Sequence, residues 1–226
     1  MPQRFRNALP RTARFSKWVR GPERIHRRSR YGTTRRDPKA KLSDDLVSRR
    51  FVADVPDRLW VADITEHPTD EGKLYLAAVI DVFSRKVVGW SMGETASAEL
   101  AVNAVNMAIW NRRPEPGLIH HSDHGCQYTS LILGKTPRGC GIVGSMGTVG
   151  DALDNAVAES FFAALQTELL DRHAWPTRRF LASAVFEYIE GFHNRRRRHS
   201  ALGYMSPMEY EAARKLREAS NTHSAA

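Results

Sequence analysis

The stretch LWVADITEHPTDEGKLYLAAVIDVFSRKVVGWSM, residues 59–92, decides the fold. It holds three apolar runs of strand length: LWVADIT (59–65), LYLAAVIDV (74–82) and KVVGWSM (86–92). TDEGK (69–73), a turn composition, separates the first two, and only Phe83, Ser84 and Arg85 separate the second from the third. That spacing predicts a three-stranded antiparallel meander. Downstream, Leu100, Val105, Ala108 and Ile109 recur at helical spacing, so residues 96–111 form a helix. LIHHS (118–122) reads as a fourth strand and GIVGSM (141–146) as a fifth. A strong helix is expected over 152–172, with Leu153, Val157, Phe161, Leu165 and Leu169 on one face. Pro176 breaks the chain, a second long helix is expected over 177–198, and Pro207 opens a last one near 207–218. Strands followed by helix, strand and helix make an α/β domain with a mixed five-stranded sheet flanked by helices.

The 226 residues carry 34 Lys+Arg against 25 Asp+Glu, a net charge of +9, and 42% are hydrophobic. This is a globular balance, and the length suits one domain with appendages. No run approaches the ~18 apolar residues of a membrane span. The Arg-rich start has no apolar core of a secretory signal. Cys126 and Cys140 are too few for a disulfide framework or a four-cysteine zinc site, so a reducing cytoplasm is the expected location. The charge is uneven. Residues 1–50 hold 16 Lys+Arg and 4 Asp+Glu, a net of +12, which leaves −3 for the rest. This proline-containing segment reads as a largely unstructured basic arm, with a short helix near 42–50. Such an arm suits a polyanion, since each cation that neutralises a phosphate releases counterions. The division expected is a basic arm at 1–50, a core at 51–173 and a helical extension at 174–226.

Three acidic residues stand out by position. Asp63 lies in the middle of the first strand, Asp123 follows the fourth directly, and Glu159 sits within the helix beside Ala156, Ala163 and Gln166, small or polar neighbours. Each carboxylate alone reads as solvated or structural. Together, at strand ends and on a facing helix, they are what two Mg²⁺ ions need, because hard cations want several carboxylate oxygens.

These residues bring the chain to a known family. WVADIT (60–65), LYLAAVIDVFSRKVVGWSM (74–92), GLIHHSDHGCQYTS (117–130), DALDNAVAESFFAALQTELL (151–170) and NRRRRHSALGYMSPMEYE (194–211) resemble insertion-sequence transposases of the DDE type, with a retroviral-integrase-type core. The likeness covers about residues 51–215. The thirty-five residues between Asp123 and Glu159 are a hallmark of that family. The resemblance implies an RNase H-like fold, a triad of Asp63, Asp123 and Glu159, and Mg²⁺-dependent strand cleavage and strand transfer, with two ions and Mn²⁺ able to substitute. It implies as partners the element's terminal inverted repeats, target DNA, an upstream-frame helix-turn-helix protein and further copies of the chain on DNA, with no membrane. The chain departs from the family at Gly134, Pro137, Gly139 and Gly141, which disfavour the helix that members carry after the second Asp. Two other readings stay open: an RNase H-like nuclease that never joins, and an inactive DNA-binding remnant.

Other features divide between structure and binding. Arg195, Arg196, Arg197 and Arg198, followed by His199, are expected to contact DNA phosphates. His121 is expected near substrate phosphate, and Asn155, one turn before Glu159, at DNA or the metal shell. His120, His121, His124 and Cys126 cluster, but the Glu of a zinc-protease helix is absent, and loop shaping is the better reading. Gly134-Lys135-Thr136 lacks the earlier glycine of a phosphate-binding loop, since that position is Thr129. Asp81 is expected to cap a tight turn, Asp151 or Asp154 to cap the Glu159 helix, and Trp60, Trp90 and Trp110 to pack in the core or at its rim.

Overall fold

The structure is a computed structural model that describes Val47 and residues 51–122, 141–146 and 156–224. The basic arm, the short helix expected near 42–50, the Gly/Pro-rich stretch at 131–140, and Asp123, His124, Cys126, Asp151, Asp154 and Asn155 lie outside the described residues.

The meander is present. Strand β1 (Leu59–Thr69) pairs antiparallel with β2 (Gly72–Asp81), which pairs antiparallel with β3 (Val87–Gly93). Thr69 pairs with Gly72, so only Asp70 and Glu71 form the loop, and both strands run further into the turn segment than its composition suggests. Pro68 is tolerated because, among the described residues, β1 beyond Ala62 has a strand neighbour on one side only, where a missing N–H need not break a ladder. Strands β4 (Ile119–Ser122) and β5 (Val143–Met146) are parallel to β1, and the sheet order is β3-β2-β1-β4-β5. The result is the mixed five-stranded sheet expected.

Helix α1 (Ala98–Arg112) starts at Ser97, whose hydroxyl accepts the Leu100 N–H at 3.2 Å. Its alanine-rich stripe (Ala101, Ala104, Ala108) packs with Trp60, Ala62, Ala77, Val79 and Val88 on one face of the sheet. The approach is close enough to require Gly89. A Cβ there would lie 2.2 Å from the Ala104 carbonyl oxygen and 2.5 Å from the Ala108 nitrogen.

The other face holds Leu59, Val61, Leu76, Ala78 and Ile80, covered by helix α2 (Ala156–Glu168) through Val157, Ala158, Phe161 and Leu165. Trp175, Leu181, Val185, Tyr188 and Ile189 from further along the chain join this same cluster. After α2 the chain makes a 3-10 turn at Leu170–Arg172, where the Trp175 indole donates to the Leu170 carbonyl at 3.0 Å. Helix α3 (Arg178–Phe186) is capped by Thr177.

Here the sequence-based expectation needs correction. The helix expected over 177–198 does not continue to the arginines. It widens into a π-helix at Glu187–His193 and ends in a turn at 194–196. The widening serves Asn194, whose side chain takes the Val87 N–H and donates to the Val87 carbonyl, both at 3.0 Å, as a neighbouring strand would. Helix α4 (Pro207–Ser224) is longer than expected. Its capping box is complete: Ser206 N–H donates to Glu209 Oε2 at 2.9 Å, and Glu209 N–H to Ser206 Oγ at 3.3 Å.

A polar network ties α4 to the sheet. Asp81 is fully buried and accepts from Ser84 Oγ at 2.8 Å, the turn-capping role expected of it. Ser84 Oγ also lies 2.8 Å from Glu211 Oε1, within reach of the same single hydroxyl proton, and Arg112 bridges Glu211 to Asp57. Burial, then the charge of Asp57, pushes the Asp81 carboxyl up to about 6 against the hydroxyl of Ser84. Trp60 is buried and Trp90 half-buried, but Trp110 is 77% exposed, contrary to a packing role. No helix among the described residues is long and apolar enough to cross a membrane.

Candidate active site

Alternation along β1 sets the direction of Asp63. Leu59 and Val61 belong to the core cluster shared with α2, so Asp63, two residues on, falls on the α2 side of the sheet. It pairs with Ala78, is half-buried, and its Oδ1 accepts the Ile64 N–H at 2.7 Å. Ser122, the last residue of β4, pairs with Ala62. Asp123 is joined to Ser122 by one peptide bond but itself lies outside the described residues.

Glu159 lies in the first turn of α2 and is exposed. The buried side of that turn is Val157, Ala158 and Phe161. Ala156 and Ala163 are exposed beside it, leaving room on the outer surface of the helix, while Gln166 is occupied with Asp171. Asp63 and Glu159 therefore belong to elements that pack on one face of the sheet. Among the described residues no group of three metal-ligating side chains occurs, and Asp123, the third expected carboxylate, is not one of those residues.

The residues expected at DNA are spread differently from their sequence order. Arg195 and Arg196, in the turn after the π-helix, and Arg198, just beyond it, are exposed. Arg197 is directed inward: its Nε lies 2.9 Å from both carboxylate oxygens of Glu168, at the end of α2. Tyr188 donates to the same carboxylate at 2.8 Å. Burial alone would raise the Glu168 carboxyl, but these hydrogen bonds and the Arg197 charge hold it below the usual carboxylate range. His199 is half-buried, and burial followed by the charges of Arg197 and Arg85 lowers its imidazole to about 4.

His121 is interior. It is 1% exposed, its Nδ1 is 3.0 Å from Ser145 Oγ, and Phe51 packs edge-on against its ring. A ring so enclosed between β4, β5 and Phe51 serves packing, and this corrects its expected place beside phosphate. His120 is buried as well; desolvation, then the neighbouring His121, lowers it to about 4. Sequence reasoning missed Glu168 as the partner of Arg197, because no local spacing links positions 29 residues apart.

Comparison with known proteins agrees with this architecture. The integrase core domain family matches residues 53–166, and a second integrase core domain family matches residues 159–214. The chain belongs to the integrase core domain family. It is similar to the transposase for insertion sequence element IS904 of Lactococcus lactis subsp. lactis (strain IL1403), with 42% identity over 167 residues, 74% of this chain and 66% of that protein. It is equally similar to transposase InsF for insertion sequence IS3A of Escherichia coli (strain K12), with 42% identity over 170 residues, 75% of this chain and 59% of that protein. The chain thus spans 59–66% of the length of these curated relatives.

Among solved structures, the fold resembles a chain of the simian T-cell lymphotropic virus intasome in complex with PP2A regulatory subunit B56 gamma. The TM-score is 0.58 at 17% identity, covering 77% of this chain and 60% of that one. It also resembles the HTLV-2 integrase catalytic core domain in complex with magnesium (trimeric form), with a TM-score of 0.50 at 17% identity, covering 71% of this chain and 99% of that one.

Proposed function

We propose that this chain is the catalytic part of an insertion-sequence transposase, cutting the element's DNA ends and joining them to target DNA. The observation that carries this reading is the shared sheet face of Asp63 and the Glu159 helix, beside the strand that leads directly into Asp123. Membership of the integrase core family and the transposase relatives support it.

Asp63, Asp123 and Glu159 would hold the divalent metal. Their donors are carboxylate oxygens alone, hard ligands suited to Mg²⁺ or Mn²⁺ rather than zinc, and the half-buried Asp63 and exposed Glu159 fit that use. When bound, two such ions supply the Lewis acidity that activates the attacking oxygen and steadies the leaving one in an in-line displacement. The protein's own part is to fix one carboxylate on a rigid strand and another on a packed helix, so that the phosphodiester meets a preset geometry. No serine or tyrosine nucleophile is required. The exposed Arg195, Arg196 and Arg198, with His199 and the basic arm at 1–50, would hold the phosphate backbone, and Asn155 would lie beside the Glu159 turn. His121, being interior, is left out of this set. The terminal repeats, target DNA, further copies of the chain and an upstream-frame helix-turn-helix protein are the partners this reading calls for, in the cytoplasm where bacterial DNA resides.

Plasmid nicking in Mn²⁺ tests the reading. The purified chain should nick supercoiled DNA only with divalent metal, and Glu159→Gln should abolish nicking, while Glu99→Gln on the exposed surface of α1 should leave it intact. Metal-independent nicking, or full activity in Glu159→Gln, would contradict it.

A further inference from the structure

A cleft of about 630 Å³ opens between α2 and the segment around His193–Ala201. Its lining joins two unlike surfaces. One is cationic, with Arg85 and Arg198 beside the neutral His199, and no Asp or Glu lines it among the described residues. The other is apolar, built from Phe51 and Val52 over a floor that includes Phe161.

Three details point to a ligand. Arg85 stands in the left-handed region at φ 60° and is half-buried, yet no hydrogen bond or ion pair among the described residues occupies its guanidinium. His193 is 1% exposed and lines the cleft; its Nε2 donates to the Arg85 carbonyl at 3.0 Å, which leaves Nδ1 an acceptor with no donor among the described residues. Val52 lines the cleft and is 77% exposed, so its apolar side chain is open to a ligand there. By contrast Arg197, which also lines the cleft, is already matched by Glu168.

We propose that this cleft receives one nucleotide of an unpaired DNA strand, with its phosphate on Arg85 and Arg198 and its base against the Phe51–Val52 wall. The volume exceeds what a lone phosphate fills and lies in the range of small-ligand sites. Cations that track a backbone beside an apolar platform for a base are the recurring means of holding single strands. A base N–H would satisfy His193 Nδ1, which a phosphate oxygen cannot do while the ring is neutral. Ser160 is at the cleft and next in sequence to Glu159, so the nucleotide would sit adjacent to the proposed metal carboxylates. The inference rests on the DNA-acting reading above but can fail or stand separately from it.

Fluorescence anisotropy on the full chain tests it, with a labelled single-stranded dT 12-mer, a duplex of equal length, and unlabelled competitors dTpdT and inorganic phosphate. The variants are Arg85→Gln and Val52→Asp; the second alters a surface side chain and keeps the test valid if the first misfolds. Each variant should weaken single-strand binding about tenfold, the worth of one well-held base, while duplex binding changes less than about twofold. The dinucleotide should compete and inorganic phosphate should not. Unchanged single-strand affinity in Val52→Asp, equal losses on both DNA forms, or competition by phosphate at the dinucleotide's concentration would overturn the proposal. Unchanged affinity in a protein that still cuts and joins DNA would reject the cleft and keep the transposase. A selective loss in a protein that never cuts would do the reverse.

Discussion

Arg197 and Glu168 form a two-pronged ion pair that joins the segment after the π-helix to the end of the helix carrying Glu159. The guanidinium nitrogens lie 2.9 Å from the carboxylate, with side chains 24% and 29% exposed. One of four adjacent arginines is thus a structural clamp, and its three neighbours face solvent.

Arg197→Gln should therefore destabilise the fold by about 1–2 kcal/mol, between the worth of an exposed pair and the cost of breaking a buried one. Arg195→Gln and Arg196→Gln should stay within about 0.5 kcal/mol of wild type. Urea unfolding of the three variants checks this; equal stabilities would contradict the clamp.

The reverse order is expected for DNA. Changing Arg195, Arg196 and Arg198 together to Gln should weaken duplex binding for any sequence and flatten the slope of log K against log salt by about 0.9 for each phosphate no longer neutralised. A loss confined to one sequence would mean that these side chains read bases. An unchanged slope would mean that they touch no phosphate.

Much of the fold was legible because its signals are local. The three apolar runs, the short links between them and the expectation of turn capping at Asp81 all concern residues within a few positions of one another. Asp63 was legible as a carboxylate inside a strand pattern. What escaped depends on distant partners. The π-helix is stabilised where Asn194 meets Val87, 107 residues away, and Ser84 meets Glu211 across 127. His121 looked available in a polar cluster, yet β5 supplies Ser145 to enclose it. Trp110 looked like a packing residue by type, but α1 turns its small side chains to the sheet and leaves the indole outside.

Buried histidines give the stability a pH dependence. His120 and His193 are lowered to about 4, chiefly by burial, while an unfolded histidine titrates near 6.5. Between those values the unfolded chain binds more protons, so stability falls as pH drops from about 6.5 toward 4, by up to about 1.4 kcal/mol per pH unit for each histidine. Asp81, raised to about 6, acts oppositely, since its protonated folded form favours the fold below that pH. Two histidines against one carboxyl leave a net loss on acidification. Urea midpoints at pH 7.5 and 5 measure it, and a higher midpoint at pH 5 would contradict the assignment.

Gly89→Ala should be severe for its size. The added methyl meets backbone atoms of α1 at 2.2 and 2.5 Å, which cannot rotate away, so a loss of about 3 kcal/mol is expected. Gly93→Ala, whose nearest neighbour is the flexible end of Leu100 at 3.3 Å, should cost less. Thermal unfolding of the two variants ranks them.

The most direct test of the central claim is strand joining by the metal carboxylates. Duplexes bearing the element's end, pre-cut to expose a 3′-OH, are incubated with target plasmid and Mg²⁺, using wild type, Asp63→Asn, Asp123→Asn and Glu159→Gln. Wild type should give covalent end–plasmid products that EDTA prevents, and each variant should give none while binding the duplex as tightly as wild type. Hydrolysis without joining in wild type, or joined products from any of the three variants, would contradict the account.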